Sequence, residues 1–130
     1  MRCEMQESIL KGKKILIVED DLSSRLYLNK ILEKTEAILL NAGDGREAVE
    51  LVERDPGIEL VLMDIQLPVM DGYTSARKIR EIRKEVKLIA QTAYSFTGDM
   101  DNISESGFDD FLIKPIYSKQ LIEKLSSYYE

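Results

Sequence analysis

Two short apolar runs in this chain end in acid. Ile15-Leu16-Ile17-Val18 leads into Glu19-Asp20-Asp21, and Leu60-Val61-Leu62-Met63 leads into Asp64. If both runs are strands of one parallel sheet, their carboxylates meet at one rim, the place where such sheets bind ligands. Four carboxylates there repel one another, and a divalent cation relieves the repulsion. Magnesium suits the donor set. It takes hard oxygen ligands in octahedral geometry, commonly one or two carboxylates with water and phosphate. Asp20 and Asp64 are the candidate direct ligands, with Glu19 acting through a water. Taken singly, each acid has a plainer use as a helix cap, and Asp21 before Leu22-Ser23 fits that use.

Two other run ends carry complementary groups. Lys114 closes Phe111-Leu112-Ile113 and is followed by Pro115. A lysine there reaches over the rim toward an acid, and as a point charge it suits a phosphoryl group. Pro115 fixes the backbone, and a cis bond before proline is one way to make a sharp turn. Thr92 closes Leu88-Ile89-Ala90-Gln91, where its hydroxyl can donate to a phosphoryl oxygen. A surface lysine and a capping threonine are the plainer alternatives.

The elements that must position these residues alternate five times. Strands are predicted near residues 14–18, 37–41, 59–64, 87–91 and 110–113, and helices near 23–34, 46–54, 73–84, 98–105 and 119–128. Continuous apolar strands signal burial on both faces, hence a parallel sheet between helices. Asp44-Gly45-Arg46-Glu47 has the form of a capping box. Leu28, Ile31 and Leu32 share one helix face, as do Ala48, Leu51 and Val52, and Leu121, Ile122, Leu125 and Tyr128. The fourth helix is poor in large apolar residues, chiefly Met100 and Ile103, and is expected to be the most movable. Regular alternation with right-handed crossovers gives a doubly wound α/β fold, (βα)5, and a five-stranded example commonly takes the flavodoxin-like strand order 2-1-3-4-5. Its ligand crevice falls between strands 1 and 3, the two that end in acid. Residues 1–12 read as a tail or linker remnant, although Ile9 and Leu10 are apolar enough to pack, and residues 13–130 read as one domain.

Composition narrows the chemistry. Eighteen Lys and Arg against 24 Asp and Glu give a net charge of −6, which disfavours direct binding to nucleic acid or to an anionic membrane. A 44% hydrophobic content supports a real core. The absence of histidine removes Ser-His and Cys-His hydrolase mechanisms, and with a single Cys3 it argues against zinc. One cysteine makes no internal disulfide, which fits a cytoplasmic location.

Val18-Glu19-Asp20-Asp21, the stretch Leu62 to Gly72 (LMDIQLPVMDG), Gln91-Thr92-Ala93 and Phe111-Leu112-Ile113-Lys114-Pro115 occur in this order. Together they resemble the receiver domain of two-component response regulators over about residues 13–128. The resemblance implies that Asp64 is the phosphoacceptor, taking a phosphoryl group from a partner's phosphohistidine. It implies Mg²⁺ on Asp20, Asp64 and the backbone carbonyl of Gln66, with Glu19 through water. Lys114, Thr92 and the backbone of Ala93 would hold the phosphoryl group. Thr92 and Phe111 would form the switch, and Gln66 and Tyr94 would tune turnover. Glu19 replaces the commoner aspartate and keeps the carboxylate. The partner implied is a histidine kinase dimerisation domain or a histidine phosphotransfer domain, with a weak homodimer as a further association.

The stretch Leu88 to Tyr94, then Gly98-Asp99, then Lys114-Pro115-Ile116, resembles receivers of hybrid sensor histidine kinases in particular. A stand-alone regulator is the alternative. An aspartyl-phosphate phosphatase needs a second acid two residues after its nucleophile, where this chain has Gln66. A flavin or nucleotide module needs a phosphate-cradling loop where Glu19-Asp20-Asp21 would repel phosphate.

Overall fold

The computed structural model describes residues 9–93 and 102–129. The elements in order are β1 (Lys14–Val18), α1 (Leu22–Glu33), β2 (Ile38–Ala42), α2 (Gly45–Arg54), β3 (Leu60–Asp64), α3 (Gly72–Ile82), β4 (Lys87–Thr92), α4 (described over 102–105), β5 (Asp110–Ile113) and α5 (Ser118–Ser126). The five strands form one parallel sheet in the order β2-β1-β3-β4-β5, as the alternation predicts.

Each interior strand is apolar through its middle because it is covered twice. Ile15, Ile17, Leu60, Leu62, Ile89 and Leu112 pack with Leu28, Leu32, Leu121 and Leu125 of α1 and α5. Leu16, Val18, Val61, Met63, Leu88 and Ala90 pack on the other face with Ala48 and Val52 of α2 and Ala76 and Ile79 of α3. Period-two alternation along each strand therefore sorts two cores rather than a core and a solvent face. β2 is different. It is the outer strand next to β1, and its Ile38 is exposed.

Helix ends follow local chemistry. Asp21 caps α1, its Oδ2 accepting from the Ser24 N–H at 2.9 Å, and Asp71 caps α3 by accepting from the Thr74 N–H at 2.8 Å. Asp44 caps α2 through the Glu47 N–H, but Glu47 reaches back to the N–H of Gly43 rather than that of Asp44. The last helix stops at Ser126, two residues earlier than its apolar pattern suggests. Tyr128 and Tyr129 turn beneath the amino ends of the strands, with Lys87 Nζ 5.7 Å and Lys13 Nζ 4.7 Å from their ring centroids.

Leu10, read from sequence as part of the leading tail, has no exposed surface and belongs to the α1/α5 core. The expected fourth helix is described only from residue 102. Its Ile103 is buried, and α3 fastens the segment beyond it. Arg77 donates to Ser106 Oγ, and Arg80 donates to the Gly107 carbonyl and the Asp109 carboxylate.

Candidate functional site

Topology gathers the acids. Val18 pairs with Met63 and Asp64 with Gln91, so Glu19, Asp64 and Gln91 sit at the carboxyl ends of three neighbouring strands. Ligand oxygens of Glu19, Asp20 and Asp64 lie within 4.8 Å of one another. Glu19 and Asp64 are buried and Asp20 is exposed. The expected fourth carboxylate, Asp21, is not in the cluster, because capping α1 turns it away and holds its carboxyl below the usual range.

Glu19 is poised for a cation. Its Oε2 accepts from the Asp21 N–H at 3.1 Å, while its Oε1 is buried with no hydrogen-bond donor among the described residues. Burial raises its pKa. The Asp21 N–H and Lys114 pull the other way, and Asp64 and Asp20 add to the rise. A buried carboxylate oxygen without a donor, inside an acidic cluster, fits a hard divalent ion such as Mg²⁺.

Lys114 supplies the positive charge. Its Nζ lies 2.8 Å from Asp64 Oδ2 and 3.7 Å from Glu19 Oε1. Burial works against its charge, but the hydrogen bond to Asp64 and the charges of Asp64, Glu19 and Asp20 outweigh it and raise its pKa. The other Asp64 oxygen accepts from the Gln66 N–H at 3.0 Å. The Lys114–Pro115 bond is cis. A cleft of about 500 Å³ opens over Asp64, and Gln66, Gln91, Thr92, Ala93 and Lys114 are among the residues lining it. Phe111 lies beside Ala90 in the strand register, half-buried against the α2/α3 core. Tyr94 lies outside the described residues.

Close backbone packing holds the loops around this cleft. A Cβ at Gly72 would sit 2.5 Å from the Asp64 carbonyl oxygen and 2.7 Å from Ile65 Cα, and one at Gly45 would collide with the Met70 carbonyl. Val69 carries a φ of 66°, in a tight turn closed by the Met70 N–H donating to the Pro68 carbonyl at 2.6 Å.

A buried carboxylate flanked by an ammonium group, an acidic cluster and an open cleft is suited to phosphoryl transfer, which needs positioning and charge neutralisation. The sequence pattern of the response regulator receiver domain matches residues 15–126. This chain belongs to that family. Receiver domains are the phosphoacceptor switches of two-component signalling, and relatives occur both in hybrid kinases and in regulators. The receiver is 31% identical over 128 residues to the sensor histidine kinase GacS of Pseudomonas protegens, a match covering 94% of this chain and 14% of GacS. It spans less than a fifth of other leading curated relatives as well.

Solved structures agree. The receiver domain of sensor histidine kinase PA1611 from Pseudomonas aeruginosa, which has a magnesium ion coordinated in its active site cleft, is 32% identical with a TM-score of 0.82, covering 91% of this chain and 97% of that one. The receiver domain of Saccharomyces cerevisiae Ssk1, in complex with the histidine phosphotransfer protein Ypd1, scores 0.86 at 29% identity, over 92% and 90%.

Several residues that shape the receiver's site carry no sequence signal of their own. Arg25 donates twice to the Glu19 carbonyl, at 3.1 and 3.2 Å, and so fixes the acidic loop. Tyr27 donates to the Ile116 carbonyl at 2.6 Å, tying α1 to the turn after Pro115. The Tyr27 contact joins elements that only the folded topology brings together, whereas the Arg25 contact is local, from α1 back to the loop before it. Asp71 and Gly72 fall inside the quoted motif, but their roles as cap and close-packing point emerge from geometry.

Proposed function

We propose that Asp64 accepts a phosphoryl group from a phosphohistidine, with Mg²⁺ held by Asp20, Asp64 and the Gln66 carbonyl and by Glu19 through water. The supporting observation is Asp64 itself, buried at the rim between Lys114 and the acidic cluster. An Asp64 carboxylate oxygen attacks phosphorus. The P–O bond forms as the P–N bond breaks, and the histidine nitrogen leaves with the electron pair. Bound Mg²⁺ would offset the charge on the phosphoryl oxygens. Lys114 does the same from the other side, so moving from carboxylate to phosphoryl oxygen keeps it paired.

Phosphorylation adds about −1.5 to −2 charge. Thr92 and the Ala93 N–H answer it by donating, and Phe111 follows Thr92 inward to convert the modification into a changed surface. Gln66 and Tyr94 set how water reaches the phosphoryl group. The donor is a histidine kinase dimerisation domain or a histidine phosphotransfer domain. Exposed Leu22, Leu26, Tyr27 and Tyr117 give it an apolar seat beside the rim. Similarity to GacS and to the PA1611 receiver favours a hybrid sensor kinase as the parent protein.

Incubation with acetyl phosphate and Mg²⁺ should add one phosphoryl group that hydroxylamine removes, and Asp64→Asn should abolish the addition. Thr92→Ala should still accept phosphate while losing the beryllofluoride-induced amide shifts over residues 102–117. Undiminished labelling of Asp64→Asn would overturn the assignment.

A further inference from the structure

We propose that the side-chain amide of Gln91 is a further phosphoryl-binding donor, one that the unmodified protein leaves unpaired. This rests on Asp64 as the phosphoacceptor. Gln91 is 1% exposed, and its Nε2 is a buried donor with no hydrogen-bond partner among the described residues. Buried amide groups are almost always paired, because leaving one dry and unbonded costs free energy, so an exception calls for a reason. Its place supplies one. Gln91 is the lateral register partner of Asp64. It shares the strand face of Ile89, whose side chain joins the α1/α5 core, and so lies on the side where Glu19 and Lys114 converge. The cleft over Asp64 counts Gln91 among its lining residues, together with Thr92, Ala93 and Lys114.

Only one acceptor-rich group is due to arrive beside that strand, the phosphoryl group with its three oxygens. Lys114 now occupies Asp64 Oδ2, and its shift toward the new oxygens opens the neighbouring position to a second donor. The amide then gains a bond that it lacks at rest. Its contribution is differential, favouring the modified state over the unmodified one.

The test uses Gln91→Met, similar in length, unbranched and without a donor. At saturating Mg²⁺ the variant should bind beryllofluoride about ten- to a hundredfold more weakly than wild type, as expected for one lost hydrogen bond to an anion. Its Mg²⁺ midpoint should stay the same, and its unmodified form should be at least as stable in urea, since an apolar group replaces an unpaired amide. In wild type, one Gln91 Nε2 proton should move downfield and exchange more slowly on adding beryllofluoride. Equal beryllofluoride affinity in the two proteins overturns the proposal. So does a shifted Mg²⁺ midpoint with unchanged beryllofluoride affinity, which would make Gln91 a partner of Glu19 instead. Marked destabilisation of the unmodified variant also overturns it, by revealing a resting partner. If wild type itself takes up no beryllofluoride, the phosphoacceptor reading fails and this one falls with it.

Discussion

Replacing Gly72 by alanine pits two effects of opposite sign against each other. Gly72 opens α3, where alanine is favoured over glycine by up to about 1 kcal/mol, chiefly through lower unfolded-state entropy. On those grounds the substitution should stabilise. The structure reverses the sign. The new methyl would lie 2.5 Å from the Asp64 carbonyl oxygen, and ordinary contact begins near 3.4 Å, so the two must part by about 0.9 Å. The obstacles are backbone atoms of Asp64 and Ile65, not the end of a flexible side chain. The Gly72 N–H also donates to the Ile65 carbonyl at 2.8 Å, and the separation stretches that bond. Overpacking costs about 1–3 kcal/mol, and losing a buried hydrogen bond costs about 1–3 kcal/mol. Set against the gain from alanine, the net is a loss of about 1–5 kcal/mol. Urea unfolding followed by circular dichroism measures it. Because the shift begins at Asp64, the variant should also take up acetyl phosphate more slowly than its folded fraction explains. A Gly72→Ala protein as stable as wild type would refute the close-packing argument.

Two further outcomes follow from features away from the reacting groups. Val69 is β-branched, 77% exposed and held at φ 66°, so Val69→Asn should raise stability by about 1 kcal/mol, read as a higher urea midpoint. Burial, then the neighbouring Asp110, raises the Tyr128 pKa to about 12, and burial, then Glu59, raises that of Tyr129 to about 12. Both phenols therefore keep their protons longer in the fold than in the unfolded chain. Their contribution to stability is complete below about pH 10 and is lost as pH rises toward 12. A phenolate absorbance titration should show a late phase that Tyr128→Phe and Tyr129→Phe each diminish.

Much of this architecture was legible because its strongest signals are local. Four residues of apolar strand followed by acid mark both a doubly covered strand and its reactive end, and β1 and β3 lie where those patterns put them. Asp21 shows the limit. Its residue type allowed either a ligand or a cap, and only the path of α1 decides between them. Glu47 misses the expected capping-box partner by one residue, since a side chain's reach depends on the backbone turn at Gly43. Leu10 fell in a segment read as tail because Ile9 and Leu10, though apolar enough to pack, show no periodicity, and Leu10 does join the α1/α5 core. Arg25, Tyr27 and Gln91 were silent for a related reason. Tyr27 reaches a carbonyl 89 residues away and Gln91 lies across the sheet from Asp64, while Arg25 reaches back only six residues, but to a backbone carbonyl whose position the side-chain pattern does not encode.

The strand order has a consequence for how such a protein is told apart from its kin in a cell. Glu19, Asp64 and Lys114 sit at strand ends backed by two buried cores, so the fold sets where they meet. The apolar side chains flanking the rim on α1, Leu22 at 64% and Leu26 at 61% exposed, contribute little to either core. They can be exchanged at small cost to folding. On the function proposed above, fidelity to one signalling route and the ability to transfer phosphate would be separable traits, written in different residues. A lineage can duplicate this domain and rewire the copy by altering a few surface positions while the chemistry is inherited intact.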